Sequence, residues 1–512
     1  MELMKNRKYL AAIAAFMMAC LPAVHAQQLP TRADDIDPEA IPHLQWKAPV
    51  TKSGALPSSV DNNKLKYFPP IISQIGGSCA QASTIGYMCT YELNRLLDRS
   101  ASELSNRCSY LYSWNFINGG RDEGSLGWDG LSLAYNAGLM SDADFPRQTD
   151  SYQFKWASGY DKYYRALFNK VKNFNDIAIN SEEGIETVKQ YLYNKNEDGK
   201  AGGIVIFSSL AEGWRFNEDY TGPSETGITC LLTKLGSGGP HGMTITGYDD
   251  LVEFTSPDGV LQHGAFIVTN THGTFRHDRG RFYLPYWFFL NEKDHLVLGN
   301  YVTGAELHHE QPQVVFRLQF EYSSRDDLTF RMGVSNSTTA TVPMHEYLVP
   351  LMNNQGGDHP MQGSYADPNM DVAFDFTPFV NRLEGMEQPH FFLKVIRGKW
   401  GSVYGQGKLY SAAVYDYRKD PEHPEIYKVD LNGQVIAEGV NIISIPTEKI
   451  PETSYSRVNW LNTEGKPAAA PFIFKTADGK YVKVKFTDYD RENGTLHIRY
   501  VYNPNGDRKL AK

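Results

Sequence analysis

Between residues 80 and 97, AQASTIGYMCTYELNRLL, the apolar side chains of Ala82, Ile85, Cys89, Leu93, Leu96 and Leu97 recur three and four positions apart. That spacing gathers them on one face of a helix, so a buried helix is predicted to begin at or just after Cys79. GWDGLSLAYNAGLM (127–140) predicts a second helix ended by Gly138, and EEGIETVKQYLYNK (182–195) a third. From Ala201 to Leu290 the pattern shortens into β-rich runs bounded by glycine: GGIVIFSSL, HGMTITGYDD, GAFIVTNTHG and GRFYLPYWFF. Helices first and strands later predict an α+β domain with a helical half and a sheet half.

Past Leu307 the period becomes two. VVFRLQFEY (314–322) alternates Phe316, Leu318, Phe320 and Tyr322 with Arg317, Gln319 and Glu321, and HFFLKVIRG and KLYSAAVYDYR read as further strands. Asp478-Gly479 between two alternating runs is a hairpin signal, and TLHIRYVY adds a strand. Residues 307–420 are therefore expected to form an antiparallel β-sandwich, and 421–512 a second β-rich module or a continuation of the first. NNQGGDHPMQGSYADPN (353–369) reads as a surface loop.

The first 26 residues carry Lys5, Arg7 and Lys8, then an apolar stretch, then Val24-His25-Ala26. This is the pattern of an export signal cleaved after Ala26, preferred here to a lipidated Cys20. Residues 27–55, polar and proline-dotted, read as an arm or short pro-segment before a domain spanning 56–306. After Ala26 no apolar run reaches the ~18 residues of a membrane span, and a periplasmic or secreted protein is expected. The net charge of −9 shows no basic footprint for nucleic acid. Cys79, Cys89, Cys108 and Cys230 remain after export. An even count permits two disulfides in an oxidising compartment but falls short of a disulfide scaffold.

SQIGGSCAQAS (73–83) sets Cys79 behind two glycines and a serine, at the start of the predicted helix. Unpaired N–H groups and the helix dipole there favour a thiolate, and glycines let backbone approach a substrate carbonyl. A small core cysteine opening a helix would read the same in this segment alone. A thiolate nucleophile also needs an imidazole and a group to orient it. GSGGPHGMTITGYDD offers His241 at the head of one strand run, and Asn270 ends another.

These blocks together resemble the papain-like cysteine peptidases. ALPSSVDNNKLKYFPPIISQIGGSCAQAS is similar to that family's mature start, PHGMTITGYD to its histidine strand, and FIVTNTHGTFRHDRGRFYLP to its Asn-Ser-Trp-Gly block. LSNRCSYLYSWN with GLSLAYNAGLMSDADFP resembles the stretch closing the helical half, and the likeness covers about residues 55–300. The resemblance implies a two-lobed domain, helical and β-sheet, that hydrolyses peptide bonds through a thioester acyl-enzyme. Cys79 would be the nucleophile, His241 the acid/base, Asn270 its orienting partner, and Gln74 an oxyanion donor beside the Cys79 N–H.

It also implies a glycine segment for substrate backbone, at Gly119-Gly120 or at Gly124-Ser125. The sequence departs from the family in four places. Gln74 stands five residues before Cys79, one fewer than usual; Gly76 replaces a cysteine; Ala80 replaces a tryptophan; and His272 stands where a shielding tryptophan is usual. The long interval between His241 and Asn270 implies an extended hairpin near the cleft. His263 and His277 read as solvated loop residues, and His272 as structural or as a substitute for that tryptophan rather than as the base.

No metal-ligand spacing is seen, His308-His309 having no partner cluster, and neither metal nor cofactor is expected. The expected partner is a protein or peptide substrate, with a surface protein or glycan open for the C-terminal region. Two other classes compete: an inactive papain-like binding or adhesion protein, and an amidase or transpeptidase acting on cell-surface material.

Overall fold

A computed structural model describes residues 41–47, 55–147, 154–196, 200–292, 296–337, 339–353, 356–363, 367–398, 405–447, 472–475, 481–490 and 495–503. The export signal, Cys20 and most of the 27–55 arm lie outside the described residues. Helix α1 begins at Cys79, as the apolar spacing predicts. It runs through three consecutive pieces, Cys79–Gln81, Ala82–Cys89 and Thr90–Leu97, the middle one wound as a π-helix, and stops at Asp98 in the left-handed region. Its residues from Ala80 to Arg95 are buried on every side, so it is a central helix rather than a surface one. Glu92 on α1 is held by the Lys195 ammonium at 2.7 Å, both side chains 3% exposed, and the same ammonium donates to the Ala305 carbonyl at 3.1 Å.

In the core around α1 lie α2 (Tyr110–Ile117), α3 (Gly127–Ala137) and α4 (Tyr160–Leu167), while α5 (Glu182–Asn194) and α6 (Tyr286–Asn291) pack against the sheet. α3 ends against Gly138 at φ 78, and α5 starts where the Ser181 hydroxyl accepts from the Gly184 N–H. Periodicity singles out α3 and α5; α2 is buried nearly all round and has no polar face to set off a stripe, and the stripe of α4, Tyr160, Tyr163, Ala166 and Leu167, is confined to eight residues. Among the described residues, no helix is long and apolar enough to cross a membrane.

The first sheet holds β1 (His43–Gln45), β2 (Ser59–Asp61), β3 (Asn169–Ala178), β4 (Val205–Glu212), β5 (Arg215–Asn217), β6 (Leu231–Lys234), β7 (Gly238–Thr255), β8 (Leu261–Thr269), β9 (Arg281–Pro285) and β10 (Tyr301–His309). Its order is β1-β3-β10-β4-β7-β8-β9-β6-β5, with β2 also paired to β7. The described part of the arm thus becomes an edge strand, β1, parallel to β3 and several strands from His241.

The accessory region packs two four-stranded sheets. β11 (Val314–Tyr322), β14 (Asn369–Asp375), β16 (Gly407–Asp416) and β17 (Glu425–Val435) form one, in the order β14-β11-β16-β17. β12 (Leu328–Ser335), β13 (His345–Leu348), β15 (His390–Arg397) and β18 (Gly439–Pro446) form the other, in the order β13-β12-β15-β18. Phe316, Leu318, Phe320 and Tyr322 are all buried, which is why β11 alternates. A module boundary at 420 falls inside this sandwich, because β17 pairs with β16 and β18 with β15. A separate three-stranded sheet joins β19 (Phe472–Lys475), β20 (Tyr481–Asp490) and β21 (Thr495–Asn503). Asp478-Gly479 lies outside the described residues.

Two cores result. One gathers the sheet half, including Val205, Ile245, Phe266 and Tyr283. The other is shared: Ile85, Trp114 and Trp156 of the helical half belong to the same cluster as Phe316, Phe330 and Phe391 of the sandwich. Polar ties reinforce it, with the Arg325 guanidinium 4.1 Å over the Trp156 ring and a buried Lys170–Asp375 ion pair.

Candidate active site

The loop leading into α1 is fixed before the helix starts. Ser73 bridges antiparallel to His272, the Gln74 N–H donates to the Thr271 carbonyl at 2.7 Å, and the Gly273 N–H donates to Ile72 at 2.9 Å. The Tyr87 hydroxyl accepts from the Ile72 N–H at 2.7 Å and donates to the Asn270 carbonyl at 2.9 Å. The segment that carries Cys79 is thereby sewn to the segment that carries Asn270 and His272.

Gly76 has φ +55, and a Cβ there would fall on the Asp122 carboxylate, so the departure from cysteine at this position is filled by Asp122. The same carboxylate accepts the Gly77 N–H at 2.6 Å. Strand β7 comes equally close: a Cβ on Gly242 would stand 2.9 Å from the Ala80 Cα. That approach delivers His241 to the start of α1.

Cys79 is partly exposed and in no disulfide. Burial pushes its pKa up, but a hydrogen bond and the charge of His241, with the Gly242 and Ala80 backbone N–H groups, outweigh it and leave the thiol below its ordinary value. For His241, burial pulls down, while the hydrogen bond and charge of Cys79 and the hydrogen bond to Asn270 carry it above the ordinary imidazole value. Both directions favour one state, a thiolate facing an imidazolium.

The Asn270 Oδ1 lies 2.8 Å from His241 Nε2, so Nδ1 is the nitrogen left for Cys79. Oδ1 also takes the Thr271 N–H at 2.7 Å, which fixes the amide as an acceptor toward the ring. His241 and Asn270 meet because β7 and β8 are antiparallel neighbours, Thr244 facing Thr269. Their hairpin is long, as the interval implies, but its turn follows Thr255, at the far end of β7 from His241.

His272 stacks on His241, ring centroids 4.5 Å apart and planes at 18°. Burial first, then the charges of His241, Arg276 and His277, push it down to about 4. A ring so poorly basic stays neutral while it covers the face of His241. His277, expected to be solvated, is instead packed between Phe216 and Phe282, with its side chain 10% exposed.

Gln74 sits on the Cys79 loop. Its Oε1 accepts from the Thr271 hydroxyl, and its Nε2 donates to the Gly76 carbonyl at 2.8 Å, an amide nitrogen having a second N–H to offer. Of the two glycine segments, Gly124-Ser125 lies beside the site. A Cβ on Gly77 would stand 3.0 Å from the Gly124 N, and the Ser125 hydroxyl accepts from Gln81 Nε2 at 3.1 Å.

Gly119-Gly120 instead packs against the accessory region, the Gly119 carbonyl lying beside Gly357. Gly120 is buried against Gly356 and His359 of the sandwich, with His359 Nε2 3.2 Å from its carbonyl. The reason is geometric: the accessory domain packs on the end of α2, which no motif in the first half of the chain announces. Asp122 and Tyr87 are the residues the motifs missed, since each acts through backbone brought near only by the fold.

No protein-family model matches the chain, and no curated protein matches it in sequence. In structure it is similar, over about half its length, to papain-like cysteine proteases. One is xylellain, a cysteine protease from Xylella fastidiosa, at 17% identity over 52% of this chain and 91% of that one, TM-score 0.34. Another is digestive procathepsin L 3 of the Tenebrio molitor larval midgut, at 13% identity over 52% and 75%, TM-score 0.33. A third is the bromelain protease from Ananas comosus, at 14% identity over 49% and 99%, TM-score 0.32.

Proposed function

We propose that the chain is a cysteine peptidase. The observation that supports this most is the continuous row from the Cys79 thiol through His241 to the Asn270 carbonyl oxygen, with thiol and imidazole shifted toward the charged pair.

In this reading a peptide lies along Gly124-Ser125. The Cys79 thiolate attacks the scissile carbonyl carbon and a C–S bond forms. The carbonyl oxygen becomes an oxyanion, met by the Cys79 N–H at the helix start and by the second N–H of Gln74. His241 gives its proton to the nitrogen as the C–N bond breaks, and the amine leaves a thioester. Water then enters, His241 takes its proton, and attack on the thioester returns acid and thiolate. Asn270 keeps Nε2 engaged throughout, so Nδ1 stays aimed at sulfur. His272 covers the pair. The apolar, basic-headed start of the chain supports export to the periplasm or beyond as part of the same reading.

The test is to treat the purified chain, under reducing conditions, with an epoxide-type thiol inactivator beside a Cys79→Ala control, and to assay a panel of peptides. Stoichiometric labelling at Cys79 with peptide cleavage is the expected result. Absence of labelling would leave a binding protein. Labelling without cleavage would point to an amidase or transpeptidase.

A further inference from the structure

Glu218, Cys230 and His277 are distant in sequence and take no part in the Cys79 row. Glu218 follows β5, Cys230 precedes β6, and His277 lies between β8 and β9. The sheet brings them together: among the described residues they form a group whose donor atoms all lie within 4.8 Å of one another. His277 Nδ1 is 3.6 Å from Cys230 Sγ and 3.2 Å from Glu218 Oε1. Nitrogen or oxygen at about 2.0–2.1 Å and sulfur at about 2.3 Å from one ion, at tetrahedral angles, stand roughly 3.4–3.6 Å apart. The two separations from His277 Nδ1 are close to two edges of such a tetrahedron, and the Cys230–Glu218 pair lies within 4.8 Å.

The surroundings suit a bound ion as well. Cys230 is fully buried and in no disulfide. The His277 ring is fixed by Phe216 at 4.3 Å and Phe282 at 5.2 Å, so its orientation needs no ion to set it. Glu218 keeps 53% of its side chain exposed, which leaves solvent a fourth position. Thiolate, imidazole and carboxylate together suit a borderline-soft cation such as Zn²⁺ rather than Ca²⁺ or Mg²⁺.

We propose that Glu218, Cys230 and His277 bind one Zn²⁺-class ion, with water as the fourth ligand. On binding, the Cys230 S–H bond breaks, sulfur bonds the ion, and the proton passes to solvent. The ion pins the Gly273–Gly280 loop, which follows directly on Asn270 and His272, against the β5–β6 ribbon.

The test uses the full chain carrying Cys79→Ala, so that the reactive thiol takes no metal. After chelator treatment it is titrated with Zn²⁺ by calorimetry, and separately loaded with Co²⁺ to look for thiolate-to-cobalt absorption. One Zn²⁺ per chain is expected, with the cobalt–thiolate band. Cys230→Ser and His277→Ala should each weaken binding by ~100-fold or more, and the exposed Glu218→Gln by ~10-fold. Circular dichroism of each variant checks the fold, and the cobalt band of the unsubstituted trio does not depend on the variants folding. Failure to take up Zn²⁺ from micromolar solution, a cobalt spectrum without the thiolate band, or binding unchanged by Cys230→Ser in a folded protein would each overturn the proposal.

Discussion

His241 and His272 lie ring to ring, yet their surroundings divide the work between them. His241 gains Cys79 and Asn270 as partners and is raised, while His272 gains burial and neighbouring positive charge and falls to about 4. His241→Ala should therefore remove peptide turnover, whereas His272→Ala should leave substantial activity. The reverse outcome would place the acid/base chemistry on His272 and overturn the assignment to His241. The pH profile follows with its sign. The thiolate–imidazolium pair is lost at low pH when the thiolate takes a proton and at high pH when the imidazolium gives one up, and the lowered thiol and raised imidazole both favour it in between, so kcat/KM should form a bell. Asn270→Ala removes a bond that raises His241 and should move the alkaline limb to lower pH; a limb that stays put would detach Asn270 from the ring. Gln74 is one residue nearer to Cys79 than the family spacing. Its place against Thr271 still leaves an N–H, and Gln74→Ala should cut kcat about 100-fold with little change in KM.

Among the elements, α1 carries the most. Its first residue supplies the thiol, and its middle is wedged among the other helices and the sheet. Its later turn is held by Glu92 on Lys195, both almost wholly buried. Removing one partner strands a buried charge, so Glu92→Ala should destabilise by ~3–5 kcal/mol in denaturant unfolding, whereas an exposed pair such as Lys66–Asp98 should lose far less. The start of α1 was legible from the spacing of Ala82, Ile85 and Cys89, and His241 and Asn270 from glycine-bounded strand ends. What was not legible depends on contacts between distant segments. Asp122 reaches Gly77 from 45 residues away, and Gly119-Gly120 and Gly124-Ser125 have the same turn chemistry, only sandwich packing telling them apart. His277 likewise reads as solvated until Phe216 and Phe282 close over it. Asp122→Ala should therefore slow inactivator labelling of Cys79 several-fold while lowering stability by only about 1 kcal/mol, because the lost bond is near the surface.

At the scale of the whole molecule, the sandwich shares the core of the helical half rather than trailing behind it as cargo. Trp114 and Trp156 share one buried cluster with Phe316, Phe330 and Phe391. Gly159 donates its N–H to Asp371 at 2.8 Å, and Lys170 is buried against Asp375. A chain ending at His309 would expose that cluster, and each large apolar side chain returned to water costs about 1.5–3 kcal/mol. Several such losses exceed the 5–15 kcal/mol by which domains are usually stable. Of the side chains described in β20 and β21, none belongs to the cluster. Two truncations thus have opposite expected outcomes. The chain ending at His309 should aggregate or show no cooperative unfolding and should not react stoichiometrically at Cys79. The chain ending at Thr447 should unfold cooperatively and label as the full chain does. A soluble, cooperatively unfolding, fully reactive protein ending at His309 would mean that the shared core is dispensable and that the two-lobed domain stands alone.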